Sequence, residues 1–144
     1  MSELSAEENM RVVEAQMEAF NAGDLDRCLA HFSEDTVRYA PGLSEPIRGR
    51  DALREAVESF LAPFPDMRAE KVSIFAQGDL VCLQAVASGT HKNTFSGPRG
   101  EIPPTNNPVS IRVCHVFQVK DGQITEDHQY FDLVGLLAQL GVEL

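Results

Sequence analysis

The residues best equipped for chemistry crowd into one stretch near the end of the chain, "ITEDHQYFD" at 124–132, which holds Glu126, Asp127, His128, Tyr130 and Asp132. Carboxylates beside an imidazole are ordinary equipment for proton transfer, one group taking a proton in the transition state and another returning it. The next ten residues, "LVGLLAQLGV", are almost wholly apolar. A carboxylate set against such a wall loses hydration, and lost hydration raises its pKa toward a range useful for accepting and returning a proton. Asp132 stands at that junction and is the leading catalytic candidate. The competing reading is that Asp132 caps the helix that follows, aspartate being a preferred residue there.

Four histidines, His31, His91, His115 and His128, are scattered over separate segments with no H-x-H or H-x-x-x-H pair, so no metal site is expected. His91 and His115 are candidates for orienting Asp132, or for hydrogen-bonding a substrate carbonyl oxygen as it becomes an enolate. The alternative for each is a hydrogen-bonded core residue. A serine elbow, a phosphate-binding glycine loop and a dinucleotide fingerprint are all missing, since "GPRGE" lacks the strand-to-helix context, and no cofactor is expected.

The elements that must position these groups can be read from periodicity. "SAEE" offers Ser5 and Glu8 as a capping box for a first helix, in which Met10, Val13, Met17 and Phe20 recur at helical spacing. Asp24 caps a short second helix whose stripe is Leu25, Cys28, Leu29 and Phe32, and "TVRYA" follows as a strand closed by Tyr39. Residues 41–50 form a Pro/Gly loop before a third helix near Asp51, with Leu53, Val57, Phe60, Leu61 and Phe64 on its apolar face. Two hairpins come next, turning at Gly78-Asp79 and at "KDG", separated by a loop at 96–108, and a short helix ends the chain at Gly141.

Strands joined by short hairpins are antiparallel, and helices gathered before them cannot act as crossovers. The class is α+β: a strongly curved, mainly antiparallel sheet with three N-terminal helices and a short C-terminal one, in a single domain spanning 1–144. Strict alternation along the last strand puts Glu126, His128, Tyr130 and Asp132 on one face and Thr125, Asp127, Gln129 and Phe131 on the other. The first set is the expected interior, with Glu126, His128 and Tyr130 as substrate-binding residues. His115 shares a face with Ile111, Val113 and Phe117. Tyr39, Phe32 and Phe60 are expected to contribute to the wall of any cavity, and Cys114, Val116 and Phe131 to an apolar outer face.

The 144 residues include 22 acidic and 12 basic side chains, a net charge of −10, which repels phosphate backbones and anionic headgroups. Nucleic acid and membrane are therefore excluded as expected partners, and an apolar or aromatic small molecule is left. With no apolar run near the roughly 20 residues a bilayer needs, and no basic-then-apolar leader at the start, the expected compartment is the cytoplasm. Cys28, Cys82 and Cys114 are far apart in sequence and read as buried reduced thiols.

Three segments carry a likeness to a known family: "AFNAGDLDRCLAHFSEDTVRY", "SGTH" followed by "IPPT", and "GQITEDHQYFDLVGLLAQLG". In order and length the chain resembles the nuclear-transport-factor-two-like fold, and in these motifs it resembles the SnoaL-like polyketide cyclases. His128 stands where that family commonly has tryptophan, and "PPTNN" replaces the more usual "PPTG". The resemblance implies a cone-shaped sheet, a homodimer paired through it, and an enzyme that closes rings by intramolecular aldol addition. The aspartate of the last segment, taken as Asp132, would be its general acid/base. Two sister chemistries fit less well: the first helix lacks the tyrosine of the ketosteroid-isomerase type, and the Asp66-x-Arg68-x-Glu70 spacing that resembles an epoxide hydrolase lies in an earlier strand. A non-catalytic binding or dimerisation domain remains the alternative.

Overall fold

The computed structural model describes residues 3–97 and 100–143. Two helices open it, α1 (Glu3–Asn21) and α2 (Leu25–Leu29). In α1 the stripe Met10, Val13, Met17 and Phe20 packs onto the sheet, with Val13 fully buried. The helix is already formed at Glu3, so Ser5 lies inside the first turn and is not the cap. Asp24 does cap α2, its Oδ1 accepting the Arg27 N–H at 3.0 Å.

The chain continues through β1 (Phe32–Tyr39), β2 (Ile47–Arg48), α3 (Arg50–Leu61), β3 (Arg68–Gln77) and β4 (Leu80–Thr90). It ends with β5 (Phe95–Gly97), β6 (Gly100–Ile102), β7 (Pro108–Lys120), β8 (Gln123–Phe131) and α4 (Leu133–Gln139). Phe32 starts β1 and does not extend α2; it is buried all the same. The six long and edge strands form one curved sheet in the order β2-β1-β8-β7-β4-β3, while β5 and β6 pair separately within the stretch that reads as a loop. Of the "GPRGE" residues, 98 and 99 lie outside the described residues.

Neighbouring strands are antiparallel except β1 and β8, which run parallel. That pairing joins the first strand to the last. It sets Arg38 opposite Asp127. The β7–β8 hairpin turns through Asp121 and Gly122, both at positive φ (52° and 77°), as the twist of a two-residue hairpin requires.

Inward-facing residues of β4 and β7, among them Leu83, Ala85, Ile111, Val113, His115 and Phe117, make a regular period-two wall. β8 breaks that period. Gln118 pairs with Glu126 but Val119 pairs with Ile124, so Thr125 is an extra residue, a β-bulge, whose hydroxyl is tied to Gln118 O at 3.3 Å and Gln118 Oε1 at 3.0 Å. A one-residue offset moves every later side chain to the other face. Ile124 is inside, and so are Asp127, Gln129 and Phe131; Glu126, His128 and Tyr130 face outward, so alternation separates the two sets as expected but the interior set is the other one. Among the described residues no helix is long and apolar enough to cross a membrane.

Candidate active site

Between the inner face of the sheet and helices α1 to α3 lies a cavity of about 660 Å³, a volume ordinary for a small-molecule site. Its wall is mostly apolar, with Phe32, Phe60, Phe117 and Phe131 supplying large surfaces. The polar side chains reaching it are few: Gln16, Arg38, Ser59, His115, Gln129 and two at the mouth, Thr94 and Ser96.

His115 and Arg38 meet at one buried carboxylate. His115 Nδ1 donates to Asp127 Oδ1 at 2.8 Å, and Arg38 Nε donates to Asp127 Oδ2 at 2.8 Å. Asp127 is fully buried, whereas the His115 and Arg38 side chains keep 14% and 15% exposure and line the cavity. The acid therefore stands behind the histidine and the arginine it holds. Burial by itself pushes the Asp127 carboxyl up, but the His115 and Arg38 charges and hydrogen bonds outweigh it and hold the group below the usual carboxylate range. An ionised Asp127 fixes the His115 tautomer with its proton on Nδ1, leaving Nε2 as a free acceptor. The ring is held flat against Phe117, centroids 4.9 Å apart and planes within 5°.

The remaining sequence candidates lie elsewhere. Asp132 is exposed and caps α4, its Oδ1 accepting the Gly135 N–H at 2.8 Å. This is the role of a junction aspartate, and it takes Asp132 out of the cavity wall. His91 is wholly buried but outside the cavity. Its Nδ1 accepts the Thr105 N–H at 3.2 Å and the Thr105 hydroxyl at 2.9 Å, which ties the "PPTNN" loop to the end of β4. On the outer face Glu126 Oε1 lies 3.1 Å from His128 Nε2, and Tyr39 stacks on His128 at 4.6 Å between centroids. Tyr130 is 58% exposed on that face. Phe32 and Phe60 do line the cavity; Phe131, expected outside, lines it too.

Two site residues are ones the sequence reading passed over, Arg38 and Asp127. A signal for both existed. Ile124 and Phe131 are both apolar and seven apart, so they cannot share a face of an unbroken strand, and an arginine whose strand position faces the interior needs an acid beside it.

A second, open depression of about 520 Å³ is bordered by Asp66, Thr90, Ser110 and Gln139. Several of its polar groups are engaged with each other: Asp66 accepts the Thr90 N–H at 2.7 Å and its hydroxyl at 2.8 Å, and Gln139 bridges both backbone groups of Ser110. Those bonds hold the Asp66 carboxyl below its ordinary value. Cys82 and Cys114 are closer than their sequence spacing suggests, with Sγ atoms 3.7 Å apart and half-buried on the outer face. Burial, then the Cys114 thiol, pushes the Cys82 thiol up to about 11, and burial also pushes Cys28 up to about 11, so neither is poised as a nucleophile. Among the described residues no cluster of three histidine, cysteine or acidic side chains is arranged to hold a metal ion.

Comparison with known proteins gives this geometry a lineage. The family model for the SnoaL-like polyketide cyclases matches residues 10–140. Nogalonic acid methyl ester cyclase of Streptomyces nogalater is 29% identical over 124 residues, covering 85% of this chain and 90% of that protein. The structure of IdmH from Streptomyces antibioticus, assigned as a polyketide cyclase, shares 34% identity and superimposes with a TM-score of 0.80 over 93% of this chain and 99% of that one. AclR from Streptomyces galilaeus, assigned as a hydroxylase, shares 28% identity with a TM-score of 0.83 over 95% of this chain and 98% of that one. An arginine, a histidine and a buried aspartate thus meet in an apolar chamber on a scaffold shared with cyclases, and the chain belongs to the SnoaL-like polyketide cyclase family.

Proposed function

We propose that the protein catalyses cofactor-independent proton transfer on an apolar carbonyl compound, with intramolecular aldol ring closure as the reaction. His115 Nε2 takes the acidified proton next to one carbonyl, the resulting enolate attacks a second carbonyl of the same molecule, and the imidazolium returns a proton to the new alkoxide. Asp127 holds the imidazole in the required tautomer and stabilises its charge once it is protonated. The observation that carries this reading is the His115–Asp127 hydrogen bond at the wall of an apolar cavity. It moves the proton-transferring role from Asp132, as inferred from sequence, to His115.

The energetics are sufficient. General acid/base catalysis contributes roughly 10²- to 10⁴-fold, and both reacting groups sit in one substrate, so the chamber needs only to fold it into a reactive shape. The test is deuterium incorporation at the acidic carbon of a β-keto ester panel, together with product formation, for the wild type, His115→Gln and Asp127→Asn. Loss of both activities in both variants is expected; wild-type exchange in His115→Gln would sink the assignment.

A homodimer through the outer face of the sheet forms the second part of the proposal. Phe75, Cys82, Val116 and His128 are paired in register across four strands, and Phe75 is 59% exposed. Such a row favours cover by a second copy, which is also the feature a purely binding or dimerising member of this fold would need. Sedimentation of Phe75→Glu as a monomer beside a dimeric wild type is the expected result.

A further inference from the structure

We propose that Arg38 is the oxyanion clamp of this site, gripping a cis pair of oxygens on the substrate's enolate while the carbon between them sits at His115 Nε2. The inference rests on the proton-transfer reading above and names the kind of group it acts on: a carbon flanked by two carbonyls held side by side.

A guanidinium carries five N–H groups in a planar fork and accepts nothing. Arg38 commits Nε to Asp127, and its terminal nitrogens have no acceptor among the described residues, although the side chain lies in the cavity wall. Cζ sits 6.0 Å from the Phe32 ring centroid, a contact that steadies the fork. Among the described residues lining the cavity Arg38 alone carries a fixed charge. Two parallel N–H donors match two oxygens held side by side, the geometry by which arginine recognises carboxylates and equally a 1,3-dicarbonyl enolate.

The charges also fall into an alternating order. In the resting site Asp127 balances Arg38, so a neutral ketone enters without meeting an unbalanced charge. When the C–H bond breaks, the proton forms a bond to Nε2 and the electron pair spreads onto the two oxygens. The site then holds imidazolium, carboxylate, guanidinium and enolate, each negative group flanked by positive ones. Donors fixed in advance at the place where charge develops are the arrangement that stabilises such a step.

The probe is 2-acetylindane-1,3-dione, a planar triketone that is already ionised at neutral pH with two cis oxygens. Its 2-methyl derivative cannot ionise and serves as the control. By calorimetry the wild type is expected to bind the anion at least about tenfold more tightly than the control. Arg38→Gln should lose about tenfold or more for the anion and less than about twofold for the control. If Arg38→Gln does not fold, Arg38→Lys decides: a single point charge should cost several-fold, and undiminished preference would overturn the fork. Equal binding of the two compounds by the wild type, no binding of the anion, or an anion preference that survives Arg38→Gln would each overturn the clamp. His115→Gln separates the two readings, because it should abolish α-proton exchange yet keep the anion preference. Exchange surviving in His115→Gln defeats the base assignment alone, and preference surviving in Arg38→Gln defeats the clamp alone.

Discussion

His115 Nδ1 lies 2.8 Å from Asp127 Oδ1, and of the two side chains only the imidazole reaches the cavity. On the proposed mechanism the imidazole is the base and the carboxylate behind it the orienter. His115→Gln should lower kcat by about 10²- to 10⁴-fold with little change in KM, because it removes proton transfer and leaves the apolar wall intact. Asp127→Asn should fall comparably, since an amide does not enforce the same tautomer. Steady-state kinetics on any turned-over substrate checks both, and either variant within threefold of wild type counts against the dyad.

Asp132 offers the reverse case. Its side chain closes the first turn of α4, so Asp132→Ala should cost about 0.5–2 kcal/mol of stability and leave turnover within about twofold. For a chain of this size that is a fall in Tm of roughly 2–4 °C per kcal/mol, readable by calorimetry. A large loss of kcat at unchanged Tm would restore Asp132 to the chemistry.

Acid stability follows from the sign of the Asp127 shift. Its folded-state pKa is held below the unfolded value, so its contribution is fully present above about pH 4 and is lost as pH falls through the folded pKa. Urea midpoints should hold near neutrality and drop in that acid window. Asp127→Asn should begin less stable at pH 7 and show a shallower acid slope. Asp66, shifted in the same direction by Thr90, adds to the wild-type slope, so Asp66→Asn is the matching control.

Ala85 faces the chamber from β4, paired with Val113 of β7. Ala85→Phe should place a ring in open space without forcing the backbone, raising KM or abolishing ligand binding while Tm holds or rises. Unaltered KM for a bulky substrate would mean the ligand binds elsewhere.

Much of the fold was legible because local signals agreed with the global one. The stripes of α1 and α3, the Asp24 cap and the two hairpins all follow from spacing and turn chemistry, and His115 falls on the face its apolar neighbours predicted. The site was harder to read for a specific physical reason. Alternation separates 126, 128 and 130 from 127, 129 and 131 correctly, but it does not say which set is inside. The set ending at Asp132 reads as the interior because Asp132 is the leading catalytic candidate in the sequence, and the bulge at Thr125 hides the phase that Ile124 would otherwise have supplied. Arg38 was missed because its partner lies 89 residues away, across the parallel pairing that joins the first strand to the last.

Thr125 shifts the phase of β8 much as an inserted base shifts a reading frame. Beyond it, positions 127, 129 and 131 spell out the chamber, and 126, 128 and 130 spell out the surface that meets the world outside. Deleting that residue would restore strict alternation on both sides without turning Asp127 away from His115. The strand thus carries two interleaved texts, one facing the cavity and one facing outward, and each can be rewritten while the other is kept.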